Sequence, residues 1–159
     1  MLNRKRIMAM GILVFALSVT GCGGDSDSKA ANYKDGTYEG KSSVYQSEDG
    51  SGEGNGYGVV NITIKDGKIS ECTFKTYEPD GTLKAEDYGK ADGEVANRDY
   101  YNKAQKAVAA CNEYANMLVA NGQLSGIDAI SGATKNYDQF KEAVRDALKQ
   151  AEESAEQLQ

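Results

Sequence analysis

Alternating apolar and polar residues predict a β-hairpin in the first half of the chain. The first strand covers residues 58–65, and its apolar face consists of Val60, Ile62 and Ile64. Asp66-Gly67 follows directly, and this dipeptide tolerates positive φ at both central positions of a tight turn. The sequence therefore predicts that the chain reverses at residues 66 and 67 and returns as a second strand.

The returning strand needs an irregularity to keep its apolar residues on one face. Pairing across the turn places Ile69 opposite Ile64, but Cys72 and Phe74 have the opposite parity from Ile69. Because side chains alternate between the two faces of a strand, one extra residue would bring both back to the buried face. We therefore predict a β-bulge near Ser70-Glu71.

Three further segments frame this hairpin. Alternating aromatic, β-branched and polar residues predict a strand over residues 37–45, after a turn at Asp35-Gly36. Residues 47–56 contain Gly, Ser, Asn and acids without an apolar side chain, which predicts a mobile loop outside the core. This loop has no Gly-Lys-Ser/Thr and is not a P-loop. The turn residues Pro79-Asp80-Gly81 are expected to end the sheet.

Apolar residues at three- and four-residue spacing predict two amphipathic helices in the second half. The first covers residues 97–120, stops at Asn121-Gly122 and faces the sheet with Ala104, Ala107, Val108, Cys111, Ala115, Leu118 and Val119. The second begins after Asn136, has Gln139 as a capping partner and buries Tyr137, Phe140, Val144, Ala147, Leu148 and Ala151. Strands followed by helices imply an α+β fold, in which a small antiparallel sheet packs against both helices.

The amino terminus is typical of an export signal. Arg4, Lys5 and Arg6 precede an apolar run over residues 7–19, which is too short to span a bilayer comfortably. The run ends in Val19-Thr20-Gly21-Cys22, which resembles the lipobox of bacterial lipoproteins. We expect residues 1–21 to be a lipoprotein signal peptide and Cys22 to carry the lipid. An ordinary signal peptide with a chance cysteine is the alternative.

These features divide the 159-residue chain into four parts. After the signal peptide, residues 22–32 comprise the lipidated cysteine and a Gly-, Ser- and Asp-rich flexible tether. Residues 33–150 form the single folded domain, and residues 151–159 are a polar, acidic tail that is expected to fray.

Charge narrows the choice of partners. Lys and Arg number 18 and Asp and Glu 24, for a net charge of −6; without residues 1–21 the counts are 15 and 24, for a net charge of −9. Such a chain repels phosphate backbones, which argues against nucleic acid as a partner. Anionic lipid headgroups repel it too, so membrane residence would depend on the acyl chains at Cys22.

The missing residue types exclude several chemistries. The chain has no His, which removes imidazole catalysis and the usual zinc and haem ligands. It has three Cys, and with Cys22 lipidated it has too few for a four-thiolate metal site, so no metal is expected and any redox activity needs an organic cofactor. Cys72 and Cys111 lie on predicted core faces, as two free buried thiols or as a disulfide.

A Ser-Gly-Ala-Thr turn, residues 131–134, comes just before the second predicted helix. It combines two hydroxyl groups, approachable backbone amides and the positive end of the helix dipole, which together suit a phosphate group. Such residues are also common in structural turns that lead into helices.

The longer segment, Asp128-Ala129-Ile130-Ser131-Gly132-Ala133-Thr134, resembles the flavinylation motif of the FMN-binding domain family, Asp-x-x-Ser/Thr-Gly-Ala-Thr. The resemblance extends over residues 33–150 and includes residues 33–40, Gly56-Tyr57-Gly58, residues 65–69 and Glu86-Asp87-Tyr88-Gly89. In that family the last threonine is esterified to FMN, through the phosphate, by a separate FMN transferase.

The resemblance implies a site and a function. Thr134 would carry the flavin, with Asp128, Ser131, Gly132 and Ala133 around the phosphate or read by the transferase. Tyr57, Gly58 and Tyr88 are candidates for contact with the isoalloxazine, by analogy and because flat rings prefer aromatic faces.

The implied protein is a membrane-anchored flavoprotein electron carrier on the extracytoplasmic face of the cell membrane. It would accept electrons from a membrane donor, such as a quinol-linked dehydrogenase, and pass them to extracytoplasmic acceptors. Direct flavin-dependent reduction of small acceptors stays open, and so does a signalling role for the cleaved signal peptide. The alternative function is a non-redox, ligand-binding lipoprotein of the same fold.

Overall fold

A computed structural model of the chain describes residues 33–156. The predicted signal peptide, Cys22 and the tether lie outside the described residues, as do residues 157–159. Over residues 33–156, no helix combines the length and the apolar character needed to cross a membrane.

The described residues form one antiparallel sheet of three strands. The strands are β1 (Gly36–Lys41), β2 (Tyr57–Lys65) and β3 (Lys68–Tyr77), with β2 in the centre. The predicted strand over residues 37–45 is too long, because β1 ends at Lys41 and Tyr45 makes only an isolated bridge to Gly56. Backbone and side-chain bonds alternate there: the Ser42 N–H donates to the Gly58 carbonyl at 2.9 Å, the Ser42 hydroxyl accepts the Gly58 N–H at 2.9 Å, and Ser43 donates its N–H to Glu142 at 2.9 Å.

The hairpin and its bulge are confirmed. Asp66 and Gly67 have φ values of 53° and 69°, and the carboxylate of Asp35 accepts both of their N–H groups, at 3.0 and 2.9 Å. These bonds lower the pKa of Asp35 below its usual value, the Gly67 bond most strongly. Ile64 pairs with Ile69, whereas the preceding β2 residue pairs with Glu71, so Ser70 is the extra residue. The bulge leaves Phe74 buried and Cys72 half-buried on the core face.

Two long helices follow, α1 (Arg98–Asn121) and α2 (Thr134–Glu156). Asn97 caps α1 by accepting the Tyr100 N–H at 3.0 Å, and Gly122 ends it in a left-handed conformation with φ of 69°. The predicted limits of the first helix are confirmed to within a residue. Cys72 and Cys111 are both free thiols in the structure, one of the two alternatives that the sequence allows.

The predicted start of the second helix is wrong. Asn136 does not precede α2 but lies in its first turn, where it is buried and donates Nδ2 to the Ala107 carbonyl of α1 at 2.8 Å. Gln139 caps nothing, because its Nε2 donates to the Gly56 carbonyl at 2.9 Å. At its other end α2 runs past the expected limit at residue 150 to Glu156, and Ala151 is fully buried.

Both helices pack on the same face of the sheet, α2 over β1 and β2 and α1 over β3. Gly40 allows the close approach of β1, because a Cβ atom there would collide with the backbone of α2 at Ala143. The rings of Phe74 and Phe140 meet at 5.1 Å in the centre. The larger core side chains are Val60, Ile62, Ile64, Phe74, Tyr114, Leu118, Phe140 and Val144. The α+β fold predicted from the sequence is therefore confirmed.

Candidate functional site

The motif threonine is the first residue of α2. Thr134 is exposed, while the preceding Ala133 is buried and its carbonyl accepts the Tyr137 N–H at 3.0 Å as the first bond of the helix. Ala133 also donates its N–H to the Ile130 carbonyl at 2.9 Å, and this closes the turn before the helix. Gly132 occupies that turn with φ of 83°, a conformation that residues with a Cβ rarely adopt. The hydroxyl of Thr134 therefore lies at the amino-terminal end of α2, where a helix presents its first N–H groups and the positive end of its dipole.

Two tyrosines hold this turn in place. The buried hydroxyl of Tyr114, on α1, accepts the Ile130 N–H at 2.8 Å and donates to the Ala133 carbonyl at 3.3 Å. The Tyr137 hydroxyl donates to the Ile127 carbonyl at 2.6 Å, and the two rings lie 5.6 Å apart. The conformation of the motif is thus determined by contacts across the helix pair as well as by its own sequence.

A cavity of about 640 Å³ opens beside Thr134. Its walls come from the loop over residues 47–56, here called the acidic loop, from β3 and the segment after it, from α1 and from the start of α2. The lining residues are Tyr45, Ser47, Glu48, Asp49, Ser51, Glu53, Gly54, Thr76, Lys84, Tyr88, Tyr100, Lys103, Ala104, Ala107, Val108, Gly132, Ala133, Thr134, Lys135 and Asn136. A volume of this size falls within the roughly 300–1,000 Å³ of cofactor and small-molecule sites.

The apolar stripe of α1 is divided between the core and this cavity. Its carboxyl-terminal part, with Cys111, Ala115 and Leu118, packs in the core as predicted. Its amino-terminal part, with Ala104, Ala107 and Val108, lines the cavity, although the sequence predicts that the whole stripe faces the sheet. Small apolar residues at helical spacing are expected both where a helix packs in a core and where it lines a cavity. The sequence alone therefore cannot distinguish the core-facing part of the stripe from the cavity-lining part.

Three lysines line the cavity. Lys84 is 5% exposed and donates Nζ to the Asn55 carbonyl at 2.5 Å, and burial lowers its pKa from the usual value. Lys103, on α1, is exposed and forms an ion pair with Glu53 of the acidic loop. Lys135 is exposed, with its Nζ 4.2 Å from the centre of the Tyr45 ring, and a hydrogen bond with Tyr45 raises its pKa. Three carboxylates, those of Glu48, Asp49 and Glu53, also line the cavity, so positive charge is offered to an anionic ligand only locally, at Lys84 and at Lys135 next to Thr134.

Tyr88 supplies an aromatic wall. Burial raises the pKa of Tyr88 to about 12, with smaller contributions from Tyr100, so its hydroxyl is neutral near pH 7. The Lys84 ammonium lies 4.8 Å from the centre of its ring. An aromatic ring beside a cation is suited to contact with a flat, polar ligand.

The structure brings together four of the eight predicted cofactor-site residues. Thr134, Gly132, Ala133 and Tyr88 line the cavity. Asp128 and Ser131 are exposed on the motif segment and lie outside the lining. Tyr57 and Gly58 also lie outside it.

Tyr57 and Gly58 make contacts away from the cavity. The Tyr57 ring stacks on Tyr77 with ring centres 5.4 Å apart, and the Lys41 ammonium lies 3.8 Å from the centre of the Tyr57 ring. Gly58 is buried where a Cβ would lie 2.6 Å from the Phe74 ring, so it serves the packing of β2 under the core.

Sequence reasoning missed Tyr114, Asn136 and the cavity lysines. Tyr114 and Asn136 act through partners far away in the chain, which no local pattern shows. Lys84 lies two residues before the family-like segment over residues 86–89, and Lys135 directly follows the motif threonine, so both lysines are close in sequence to segments that resemble the family.

The residues present fit an FMN group. The helix terminus at Thr134 and the lysines suit its phosphate and its polar ring edge, and the tyrosines and the α1 alanines suit its flat faces. Among residues 33–156, no cluster of three or more Cys, Asp or Glu is arranged to hold a metal ion.

Comparison with protein families gives a match for this chain. The model of a family described as the FMN-binding domain matches residues 54–149, which include β2, β3, α1, the motif and most of α2. Curated protein sequences give no significant match.

Two solved structures resemble the chain. A crystal structure of the CPE2226 protein from Clostridium perfringens is 26% identical, with a TM-score of 0.54, over 77% of this chain and 91% of that one. A solution NMR structure from Clostridium thermocellum is 23% identical, with a TM-score of 0.35, over 72% of this chain and 92% of that one. With the family match over more than half of its length, the chain belongs to the FMN-binding domain family.

Proposed function

We propose that this protein is a membrane-anchored electron carrier with FMN attached covalently, through its phosphate, to Thr134. One observation carries the proposal: an exposed threonine in the family's motif position is also the first residue of α2 and part of the wall of a cofactor-sized cavity. A flavin bound there would supply the capacity to accept and release electrons, because a chain with no His and only three Cys lacks the usual ligands for a haem or a four-thiolate iron–sulfur cluster.

The chain's own residues would bind and orient the group. The amino-terminal N–H groups of α2 and Lys135 would compensate the phosphate charge, and Thr134 Oγ would form the ester bond. The α1 residues Ala104 and Ala107, with Tyr88, would pack against the ring and exclude water. A covalent bond keeps the cofactor at a high effective concentration in a medium that contains little of it.

Localisation and partners belong to the same proposal. Lipidation of Cys22 would hold the domain on the extracytoplasmic face, and an FMN transferase would load it there. A quinol-linked dehydrogenase in the membrane would donate electrons, and soluble acceptors would remove them. The acidic, His-free surface and the short tether suit brief encounters with such partners.

The decisive experiment is the intact mass of the chain, exported with and without an FMN transferase. We expect a gain equal to FMN less one water only with the transferase, and no gain for Thr134→Ala. Thr73→Ala is the matched control, since Thr73 is exposed on β3 away from the cavity and should be loaded normally. An active transferase that adds no mass would overturn the proposal in favour of a ligand-binding lipoprotein.

Two further measurements test anchoring and electron flow. Cys22→Ser should move the protein from the membrane fraction to the soluble fraction. Membranes supplied with a quinol-generating substrate should bleach the yellow absorbance of the loaded protein, and a soluble oxidant should restore it. A loaded protein that membranes never reduce would contradict the carrier role and leave the cofactor assignment intact.

A further inference from the structure

Lys84 is a buried lysine without a carboxylate partner. Its side chain is 5% exposed, and its ammonium donates to the carbonyls of Asn55 at 2.5 Å and Gly54 at 3.4 Å. None of the ion pairs formed within residues 33–156 includes it. Because a buried charge is costly unless an opposite charge compensates it, an ammonium in this position calls for an explanation.

The position of this ammonium is well defined. The backbone N–H of Lys84 donates to the Thr76 carbonyl at 2.9 Å, which ties its main chain to β3. Its Nζ lies 4.8 Å from the centre of the Tyr88 ring, and both residues line the cavity beside Thr134. The charge is thus fixed at the cavity wall by contacts on several sides.

The other two cavity lysines differ from Lys84 in solvation. Lys103 is exposed and paired with Glu53, and Lys135 is exposed beside Tyr45. Water and counterions screen such charges, whereas a poorly solvated charge acts strongly on its neighbours. Burial lowers the pKa of Lys84, and the nearby Glu78 opposes that change without forming an ion pair.

We propose that Lys84 raises the reduction potential of the bound flavin, because its buried positive charge stabilises the negative charge that the isoalloxazine gains on reduction. This inference rests on the proposed function, since it requires FMN in the cavity. With its phosphate at Thr134, the ring of the bound group would lie in the same cavity, whose walls include Lys84 and Tyr88.

The charge of the flavin ring differs between its two oxidation states, so Lys84 would interact with them unequally. The oxidised ring is neutral; two electrons from a donor and one proton at N5 leave it with a single negative charge. A fixed cation therefore interacts with the reduced form more strongly than with the oxidised form, and a charge near the ring is one of the ways in which a protein tunes a flavin. Lys84 acts through its charge and transfers neither electrons nor a proton.

The test is the midpoint potential of the full chain, loaded with FMN by the transferase and titrated with dithionite against a reference dye. Lys84→Met removes the charge and keeps the aliphatic stem, and Lys84→Gln also keeps a donor for the Asn55 and Gly54 carbonyls. In both variants we expect the equilibrium constant for reduction to fall at least about tenfold, a decrease of about 30 mV for two electrons. Lys84→Arg, which keeps the charge, should stay near the wild-type potential.

Lys141→Met is the matched control. Lys141 also lies over a tyrosine ring, at 4.3 Å from the centre of Tyr137, but it lies outside the cavity, so its loss should leave the potential unchanged. Equal potentials in wild type, Lys84→Met and Lys84→Gln would overturn this inference while the flavin assignment stands. A wild-type chain that gains no FMN mass would overturn the proposed function, and this inference with it.

Discussion

The hydroxyl of Tyr114, in the second half of α1, accepts the backbone N–H of Ile130 at 2.8 Å and so ties the motif segment over residues 128–134 to the opposite helix. The same hydroxyl donates to the Ala133 carbonyl at 3.3 Å. Tyr114 is fully buried, so water cannot replace these bonds. The shape of the turn before Thr134 therefore depends on a side chain that the motif does not contain.

We predict that Tyr114→Phe weakens both the fold and the loading of the protein. Loss of the hydroxyl leaves the N–H of the half-buried Ile130 without this partner, which costs about 1–2 kcal/mol of unfolding free energy. Chemical denaturation would measure this loss, and the rate of FMN mass gain would report the loosened turn. Tyr38→Phe is the control, because it removes an exposed hydroxyl bond to the Lys34 carbonyl far from the motif. Equal effects of the two variants would contradict the clamping role.

Gly132→Ala should be loaded more slowly than wild type. A Cβ at φ of 83° strains the backbone by about 1–3 kcal/mol and distorts the turn that positions Thr134. Gly122→Ala provides a matched comparison, since Gly122 has φ of 69° with open space around it at the end of α1. Both variants should lose stability in a thermal melt, but only Gly132→Ala should lose FMN loading. Normal loading of Gly132→Ala would show that the turn geometry is unimportant.

The Cys72 thiol should make the fold sensitive to alkaline pH. Burial raises its pKa from 9.0 to about 12, so between these values the thiol ionises in the unfolded chain and stays protonated in the folded one. The unfolded state then binds fewer protons, and stability is full below about pH 9 and falls as the pH approaches 12.

Comparison with Cys72→Val isolates this effect from other titrating groups. Near about pH 10, wild type should have lost about 1 kcal/mol more unfolding free energy than the variant, relative to about pH 7. Urea titrations at a series of pH values would measure the difference. Parallel pH profiles for the two proteins would refute the assignment.

The end of α2 should contribute measurably to stability. Ala151 is fully buried, and its carbonyl accepts the Lys34 N–H at 3.2 Å, which joins the start of the domain to the last helix. A chain that ends at Gln150 loses both contacts and should be less stable by about 1–2 kcal/mol. A chain that ends at Glu156 keeps them and should melt like the full chain. Equal melting temperatures for the two truncated chains would show that the contacts of Ala151 do not stabilise the fold.

Local patterns in the sequence were enough to predict the sheet and one helix. The hairpin follows from alternation and from the Asp66-Gly67 turn, and the bulge at Ser70 follows from the parity of Ile69 and Phe74, all within a few residues. The first helix follows from its apolar spacing and its caps. The predicted start of α2 is wrong because the sequence favours Asn136 as a helix cap, which is a common role of asparagine. In the structure Asn136 instead donates to the Ala107 carbonyl of α1.

The sequence by itself determined the α+β fold, the motif that ends in Thr134 and the absence of His, because each is a property of neighbouring residues or of composition. The tertiary structure alone decided which residues surround that threonine. Tyr88 and Lys84 come from the segment after β3, Ala104 from α1 and Glu53 from the acidic loop, and only the packing of both helices on one sheet face brings them to one cavity. The burial of Lys84, and hence the strength of its charge, exists only in that packed arrangement.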